Sequence, residues 1–191
     1  MPLHNQKQNG FALLMALVVV SVVVSIGLSV LDLSLKQLRL STNSKDSETA
    51  FHATNAGLEC ARYWRTVESD DMEIGNNISP SCFGISLGTI GATTVSISGP
   101  GEAYLYSMQT TWSGAGAERC SVMKTLVIVS DPTSTTTVSG MQTLVPGYPY
   151  VVAKECEPGA RCTVVSAQGY SRACASITVS GTVQREVLLE L

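Results

Sequence analysis

The sequence predicts an α+β fold in which one long N-terminal helix packs on an antiparallel β-sheet. Residues 11–31 contain 17 apolar residues in 21, with no charge and no proline. From residue 66 onward, short segments of alternating apolar and polar residues are separated by Gly, Pro and Ser. A helical region followed by a run of strands is typical of the α+β class.

The composition excludes several classes of protein. Charged residues make up 14% of the 191 residues and apolar residues 45%, whereas an average soluble domain has about 25% charged residues. Disordered, collagen-like and purely coiled-coil chains are therefore excluded, and the apolar run excludes an ordinary soluble cytoplasmic domain. The net charge is −3 with no basic stripe, so we expect no nucleic-acid partner.

Residues 11–31 are predicted to form a transmembrane helix. At about 1.5 Å per residue they span roughly 31 Å, which matches the hydrocarbon core of a bilayer. The run is too long for a signal peptide, and no small-x-small cleavage site follows it. A buried helix of a soluble protein is the alternative. Ser21, Ser25 and Ser29 recur every fourth residue, and they either allow close approach of a second helix or bond their own helix carbonyls.

The helical pattern continues through residues 32–65 as an amphipathic half. Small residues and one tryptophan recur at i, i+3, i+4 and i+7 spacing over its last part. They are Ala50, Ala53, Gly57, Ala61 and Trp64. We expect this narrow stripe to lie flat across a sheet.

Residues 66–191 are predicted to form an extracytoplasmic β-sheet domain. Its predicted strands are 92–98, 104–110, 120–130 (the most apolar and therefore central), 150–153, 163–167, 175–179 and 183–189. Residues 179–182 are predicted to form a tight turn between the last two strands.

All six cysteines follow residue 59, at irregular spacings, and this pattern predicts disulfides formed in an oxidising compartment. Buried, reduced cysteines are the alternative. The short loop between Cys156 and Cys162 contains a Pro-Gly turn, which favours pairing of these two. For the others we favour Cys60–Cys82, tying the helix end to the next loop, and Cys120–Cys174, joining two strands. Six cysteines allow 15 pairings, so this is a preference among them.

No motif predicts catalysis, a metal or a cofactor. Residues 84–88 match G-x-S-x-G, but the serine lacks a nearby base: the only histidine beyond the first ten residues is His52, on the helix. The spacing of Cys156 and Cys162 does not fit zinc. The acidic cluster at 68–73 lacks a calcium-loop pattern, which favours a solvated loop. Tyr148 and Tyr150 lie on a Pro/Gly-rich turn and either contact a partner or pack on their own sheet.

The N-terminal region resembles a type IV pilin precursor. Residues 1–10 form a polar leader that ends in Gly10, and Phe11 then begins a long apolar helix that becomes amphipathic. Residues 50–59 (AFHATNAGLE) resemble the AFxAAEAGxE stretch of PilX-type minor pilins. The resemblance implies that a prepilin peptidase cuts between Gly10 and Phe11 and methylates the new amine.

Met15 departs from this pattern. It occupies the fifth position after the implied cleavage site, where most major pilins carry glutamate. In the family that glutamate is thought to meet the terminal amine of a neighbouring subunit. A methionine cannot form this pair, which favours a minor or tip-proximal subunit over a major one.

The sequence therefore predicts a structural subunit without enzymatic activity, a minor pilin-like protein of a type IV pilus or related filament. The resemblance implies other pilins, prepilin peptidase, the pilus assembly platform and membrane lipid as partners. It also implies a single-pass location in the inner or cytoplasmic membrane, followed by a cell-surface filament. The alternative is a membrane-anchored extracytoplasmic enzyme or ligand-binding protein.

Overall fold

The computed structural model describes residues 6–114, 117–149 and 153–191, and within these it confirms the α+β class. The chain divides between Ser44 and Lys45 into two compact units. One helix, α1 (Gln6–Val67), contributes to both. Every other helix and strand lies in the second unit. These are α2 (Ser69–Glu73), β1 (Ser81–Cys82), β2 (Ile85–Ser86), β3 (Thr93–Thr94), β4 (Ile97–Ser98), β5 (Gly101–Gly114), β6 (Ala117–Ser130), β7 (Thr136–Val138), α3 (Met141–Leu144), β8 (Lys154–Cys156), β9 (Arg161–Tyr170), a 3₁₀ turn (Cys174–Ser176) and β10 (Gln184–Glu190).

The main sheet of the second unit has five antiparallel strands in the order β10-β9-β6-β5-β3. β6 is the third of these five strands, as its apolar sequence predicts. A central strand is covered on both faces over most of its length, and apolar residues are therefore favoured there. A three-stranded sheet, β4-β7-β8, and a two-stranded ribbon, β1-β2, complete the unit.

One face of the main sheet, here called the helix face, packs against the last third of α1. The small-residue stripe lies there as predicted: Ala50, Ala53 and Ala61 are fully buried. The Ser121 hydroxyl of β6 donates to the Ala53 carbonyl at 2.6 Å. The Thr54 hydroxyl donates to the Arg185 carbonyl of β10 at 3.0 Å. Backbone therefore approaches backbone across this contact, which larger side chains on α1 would prevent.

Gly169 of β9 lies at the closest point of this contact. A Cβ built on Gly169 would lie 2.2 Å from the Thr54 nitrogen and 2.3 Å from the Ala50 oxygen. Such distances are far inside van der Waals contact, so only glycine fits here. The small residues on the helix recur with helical spacing and are predictable from the sequence, whereas Gly169 on the strand has no such periodic signal.

The opposite face of the main sheet, here called the outer face, is covered along half of its length by the smaller sheet and α3. A core cluster lies between them. Its buried members are Val95, Ala103, Leu105, Leu126, Ile128, Val138, Met141, Val145, Cys156 and Val164.

Two predicted strands are wrong. Residues 92–98 are split into β3 and β4, which belong to different sheets, with the buried Val95 at the bend between them. Residues 175–179 do not form a strand, because the disulfide at Cys174 draws the chain onto the main sheet and a 3₁₀ turn follows. The turn at 179–182 forms, with the Thr182 nitrogen donating to the Val179 carbonyl at 3.1 Å, inside the long connection from β9 to β10. The predicted strand at 150–153 falls largely outside the described residues.

The six cysteines form three disulfides, Cys60–Cys82, Cys120–Cys174 and Cys156–Cys162. These are the same three pairs that the sequence favoured. The first joins α1 to β1, the second joins β6 to the 3₁₀ turn, and the third joins β8 to β9. Each therefore links elements that are separate in the sheet topology.

Removing the disulfides one pair at a time is expected to destabilise the second unit in order of loop length. The closed loops span 54, 22 and 6 residues for Cys120–Cys174, Cys60–Cys82 and Cys156–Cys162. Loop-closure entropy then predicts losses of about 4, 3 and 2 kcal/mol for the paired Cys→Ser variants. Denaturant unfolding of the full chain in micelles, followed by near-UV circular dichroism, measures the order; a reversed order contradicts the entropic explanation.

Gly169→Ala is expected to destabilise the second unit by about 1–3 kcal/mol, since the added methyl group must push α1 away from β9. Gly27→Ala is the matched control, because a Cβ on Gly27 would meet no atom within 4 Å. The same unfolding measurement compares the two variants. Equal stability of both would show that α1 is not held at this contact.

Candidate functional site

The first third of α1 exposes a continuous apolar surface, here called the apolar helix surface (residues 11–31). Every large apolar side chain in it is at least half exposed, from Phe11 at 65% to Leu31 at 57%. Fully burying one such side chain contributes about 1.5–3 kcal/mol of favourable free energy. Covering the whole surface would therefore contribute on the order of tens of kcal/mol. A surface of this kind must be covered by lipid or by other protein chains.

The helix is long and apolar enough to cross a membrane, with a mean hydropathy of 2.8 over its most apolar window. Two serines of this segment are compatible with a membrane environment. The Ser21 hydroxyl donates to the Val18 carbonyl at 2.8 Å, and the Ser29 hydroxyl donates to the Ser25 carbonyl at 2.9 Å. The hydroxyls of these two donors, Ser21 and Ser29, are thus satisfied within the helix, as an apolar environment requires.

The residues singled out for processing lie at the start of this surface. Gly10 and Phe11 are both inside α1, which begins at Gln6. The peptide bond between them is therefore helical, and a protease that binds extended chain would have to unwind the first turns. Met15 is 51% exposed and belongs to the apolar helix surface. A shallow depression of about 260 Å³ follows it, lined by Leu13, Ala16, Leu17 and Val20.

A second candidate site, which is polar and which the sequence did not predict, lies at the end of α1 in the second unit. Arg65 donates through Nη2 to the Glu73 carboxylate at 2.8 Å and through Nε to the Thr163 hydroxyl at 2.9 Å. Arg161 of β9 donates to the other Glu73 oxygen. One carboxylate thus joins α1, α2 and β9, beside a groove of about 340 Å³ that also contains Leu191.

The electrostatics of this arginine–glutamate cluster favour the ionised carboxylate. Burial raises the pKa of Glu73, but the hydrogen bonds and charges of Arg65 and Arg161 together outweigh burial and hold its pKa below the ordinary value of 4.5. Both oxygens of Glu73 are occupied by arginines, so the cluster is arranged to hold elements together. It offers no carboxylate to a cation.

The acidic segment at 68–73 does not converge on a metal site. Glu73 binds the two arginines, and Asp71 accepts a hydrogen bond from the Asn76 side chain at 2.8 Å. Among the described residues, no group of three or more His, Cys, Asp or Glu side chains is arranged to hold a metal ion.

The serine motif at 84–88, His52 and the tyrosine turn do not form a common site in the described part of the chain. Ser86 lies on β2 and its hydroxyl contacts the Gly88 nitrogen at 3.3 Å, while His52 on α1 faces Glu48. Tyr148 packs on the core cluster of the outer face, and burial, with the nearby charge of Glu190, raises its pKa. Tyr150 lies outside the described residues.

Glu73→Gln is expected to lower the stability of the second unit by about 1–3 kcal/mol at neutral pH, because two arginines lose their charged partner. Since the pKa of Glu73 is lower in the folded protein, its contribution is complete above pH 4.5 and is lost as the pH falls through the lowered value. Unfolding curves between pH 7 and pH 3 should therefore show the wild type and the variant converging in acid. Glu68→Gln, next to the cluster without joining it, is the control. A pH-independent difference would contradict this assignment.

The chain was compared with protein-family models, with curated proteins and with solved structures. No family model matches it, and no curated protein or solved structure is significantly similar to it. Its function must therefore be argued from the apolar helix surface and the disulfide-linked sheet unit.

Proposed function

We propose that the protein is a minor pilin-like structural subunit of a type IV pilus or a related filament. The observation that carries the proposal is the apolar helix surface, on which every large apolar side chain is at least half exposed. Such a surface is suited first to lipid and then to the helices of other subunits, because both offer an apolar environment. The leader–helix junction at Gly10–Phe11 and the segment 50–59 support the same family.

The composition of the surface supports exchange between these two environments. It carries no charge, and the hydroxyls of Ser21 and Ser29 bond helix carbonyls, so these two polar groups need no new partner when lipid is replaced by protein. The depression beside Ala16 offers space into which a side chain of a neighbouring helix could insert. In this proposal the helix assembles and the second unit remains outside the filament core.

Met15 supports a minor role for the subunit within this proposal. With Met15 in place of a carboxylate, the subunit gains no ion pair to the terminal amine of a neighbour. An unpaired buried charge costs several kcal/mol, so the neighbour that faces Met15 is disfavoured unless its amine finds another acceptor. A subunit incorporated rarely, or at the end of a filament, avoids repeating this cost.

The proposal is tested by the mass of the mature N-terminus and by recovery in sheared filaments. The mature chain is expected to begin at a methylated Phe11 and to co-purify with fibres from the native host. Gly10→Val should leave the leader attached and keep the protein in the membrane, whereas Asn9→Ala, one residue away, should be processed normally. A wild-type chain that retains Met1 and is absent from fibres would support the alternative of a plain membrane anchor for a ligand-binding domain.

A further inference from the structure

The groove of about 340 Å³ at the end of α1, here called the arginine groove, has no role in the contacts described so far. It lies where α1, α2 and β9 meet, and the guanidinium groups of Arg65 and Arg161 line it. Leu191, which follows β10, forms another wall. Small-molecule sites in proteins typically have volumes of about 300–1,000 Å³. The arginine groove is therefore large enough for a small ligand.

Arg65 is fixed in position at the base of the groove. Its side chain is 11% exposed, and it donates through Nε to the Thr163 hydroxyl and through Nη2 to Glu73. The remaining nitrogen, Nη1, makes no hydrogen bond with any described residue, and it is not among the buried polar atoms that lack a partner. Nη1 is therefore accessible to solvent and can donate to a ligand in the groove that Arg65 lines.

Arg161 supplies the second guanidinium group. Its side chain is 60% exposed, and its Nε donates to the Glu73 oxygen that Arg65 does not use. Neither of its Nη atoms has a hydrogen-bond acceptor in the described part of the chain. Glu73 thus holds one end of each guanidinium group and leaves the other end available. The planar N–H groups of arginine match the two oxygens of a carboxylate or the oxygens of a phosphate.

The side chains of the arginine groove carry an excess of one positive charge. Two arginines and one glutamate line it, and within the described ranges Glu73 is the one carboxylate that pairs with either arginine. Both Glu73 oxygens already accept from arginines, so they are not available to a cation. The other polar groups of the walls are the hydroxyls of Thr66 and Ser69. Free donors with a single excess positive charge favour a ligand group with one negative charge.

Leu191 determines which kind of anion fits best. Its side chain is 53% exposed and lines the groove with the arginines, and its backbone is held by two hydrogen bonds to Thr163, each of 2.9 Å. An inorganic ion would leave this apolar side chain in water. An organic anion with a short apolar tail would cover it and gain free energy from the burial. A phosphate group also carries up to two negative charges, one more than the excess in the groove.

We propose that the arginine groove binds a small organic carboxylate. Its carboxylate group accepts hydrogen bonds from the free N–H groups of Arg65 and Arg161, and its apolar tail packs on Leu191. A glutamate of another protein would offer the same carboxylate group, so the experiment compares free acids with a peptide. This inference is independent of filament assembly.

The probes are butyrate, acetate, inorganic phosphate and an end-blocked peptide with one glutamate. Each is added at constant ionic strength to the full chain in uncharged detergent micelles, and NMR follows the Nε–Hε signals of the arginines. Butyrate is expected to bind saturably with a Kd of about 1 mM and roughly threefold more tightly than acetate, because its longer tail covers Leu191. The signals of Arg65 and Arg161 should shift, whereas that of Arg172, an exposed arginine between β9 and β10, should not.

Three variants separate charge, geometry and apolar contact. Arg161→Gln should weaken butyrate binding about tenfold or more, since charge-assisted hydrogen bonds are lost. Arg161→Lys retains the charge without the planar donors and should also weaken binding. Leu191→Ala should reduce the affinity for butyrate to that for acetate and leave acetate binding unchanged. Arg172→Gln is the matched control and should leave every Kd unchanged. Circular dichroism verifies that each variant retains its sheet.

Four outcomes would overturn the proposal. Shifts that do not saturate would indicate an adventitious ion only. Phosphate binding as tight as butyrate binding would show that the groove selects charge without regard to the apolar wall. Unchanged butyrate affinity in both Arg161 variants would place the ligand elsewhere. Binding of the peptide without binding of the free carboxylates would assign the groove to a protein partner.

Discussion

The backbone of α1 lies directly against the backbone of β9 at Gly169, and the rest of the second unit is arranged around that contact. Alanine and glycine on the helix, with Gly169 on the strand, allow the approach. Ser121 and Thr54 then add hydrogen bonds across it. Dispersion and burial depend on close packing, so a contact of small residues can hold a helix without large side chains. This explains how a chain with only 6% aromatic residues fixes its helix on the sheet.

Four interactions extend this contact to the end of the helix. The Cys60–Cys82 disulfide and the hydrogen bond from Trp64 to the Ser81 carbonyl hold β1 against α1. The cluster of Arg65, Glu73 and Arg161 then joins α1 to α2 and β9. Tyr106 contributes from the sheet: its hydroxyl donates to the Asn76 carbonyl at 2.9 Å, and burial raises its pKa to about 12, so it remains a neutral donor. The last third of α1 is thus part of the disulfide-linked unit.

The features that the sequence predicted correctly are those with a local signal. The apolar helix, the stripe beginning at Ala50 and the central β6 follow from spacing along one element. The wrong strand at 175–179 alternates as a strand does, but its position is determined by Cys174, whose partner is 54 residues away. Gly169 and the Arg161–Glu73 pair were missed for the same reason, since their partners lie on distant elements. For the candidate sites, Gly10, Phe11 and Met15 remain predictions from the sequence. The sequence gave no sign of the cluster around Glu73, because its two arginines lie on different elements.

The contacts that hold the second unit together lie on both faces of its main sheet. The helix face and the covered half of the outer face hold the core, where a polar group without a partner would be costly. Thr54, Ser121 and Ser166 are accordingly buried with hydrogen-bond partners. Lipid or neighbouring helices around residues 11–31 would not change that, because they satisfy apolar surface only. The apolar helix surface can therefore be covered by lipid or by protein without altering the hydrogen bonds and disulfides that hold the second unit together.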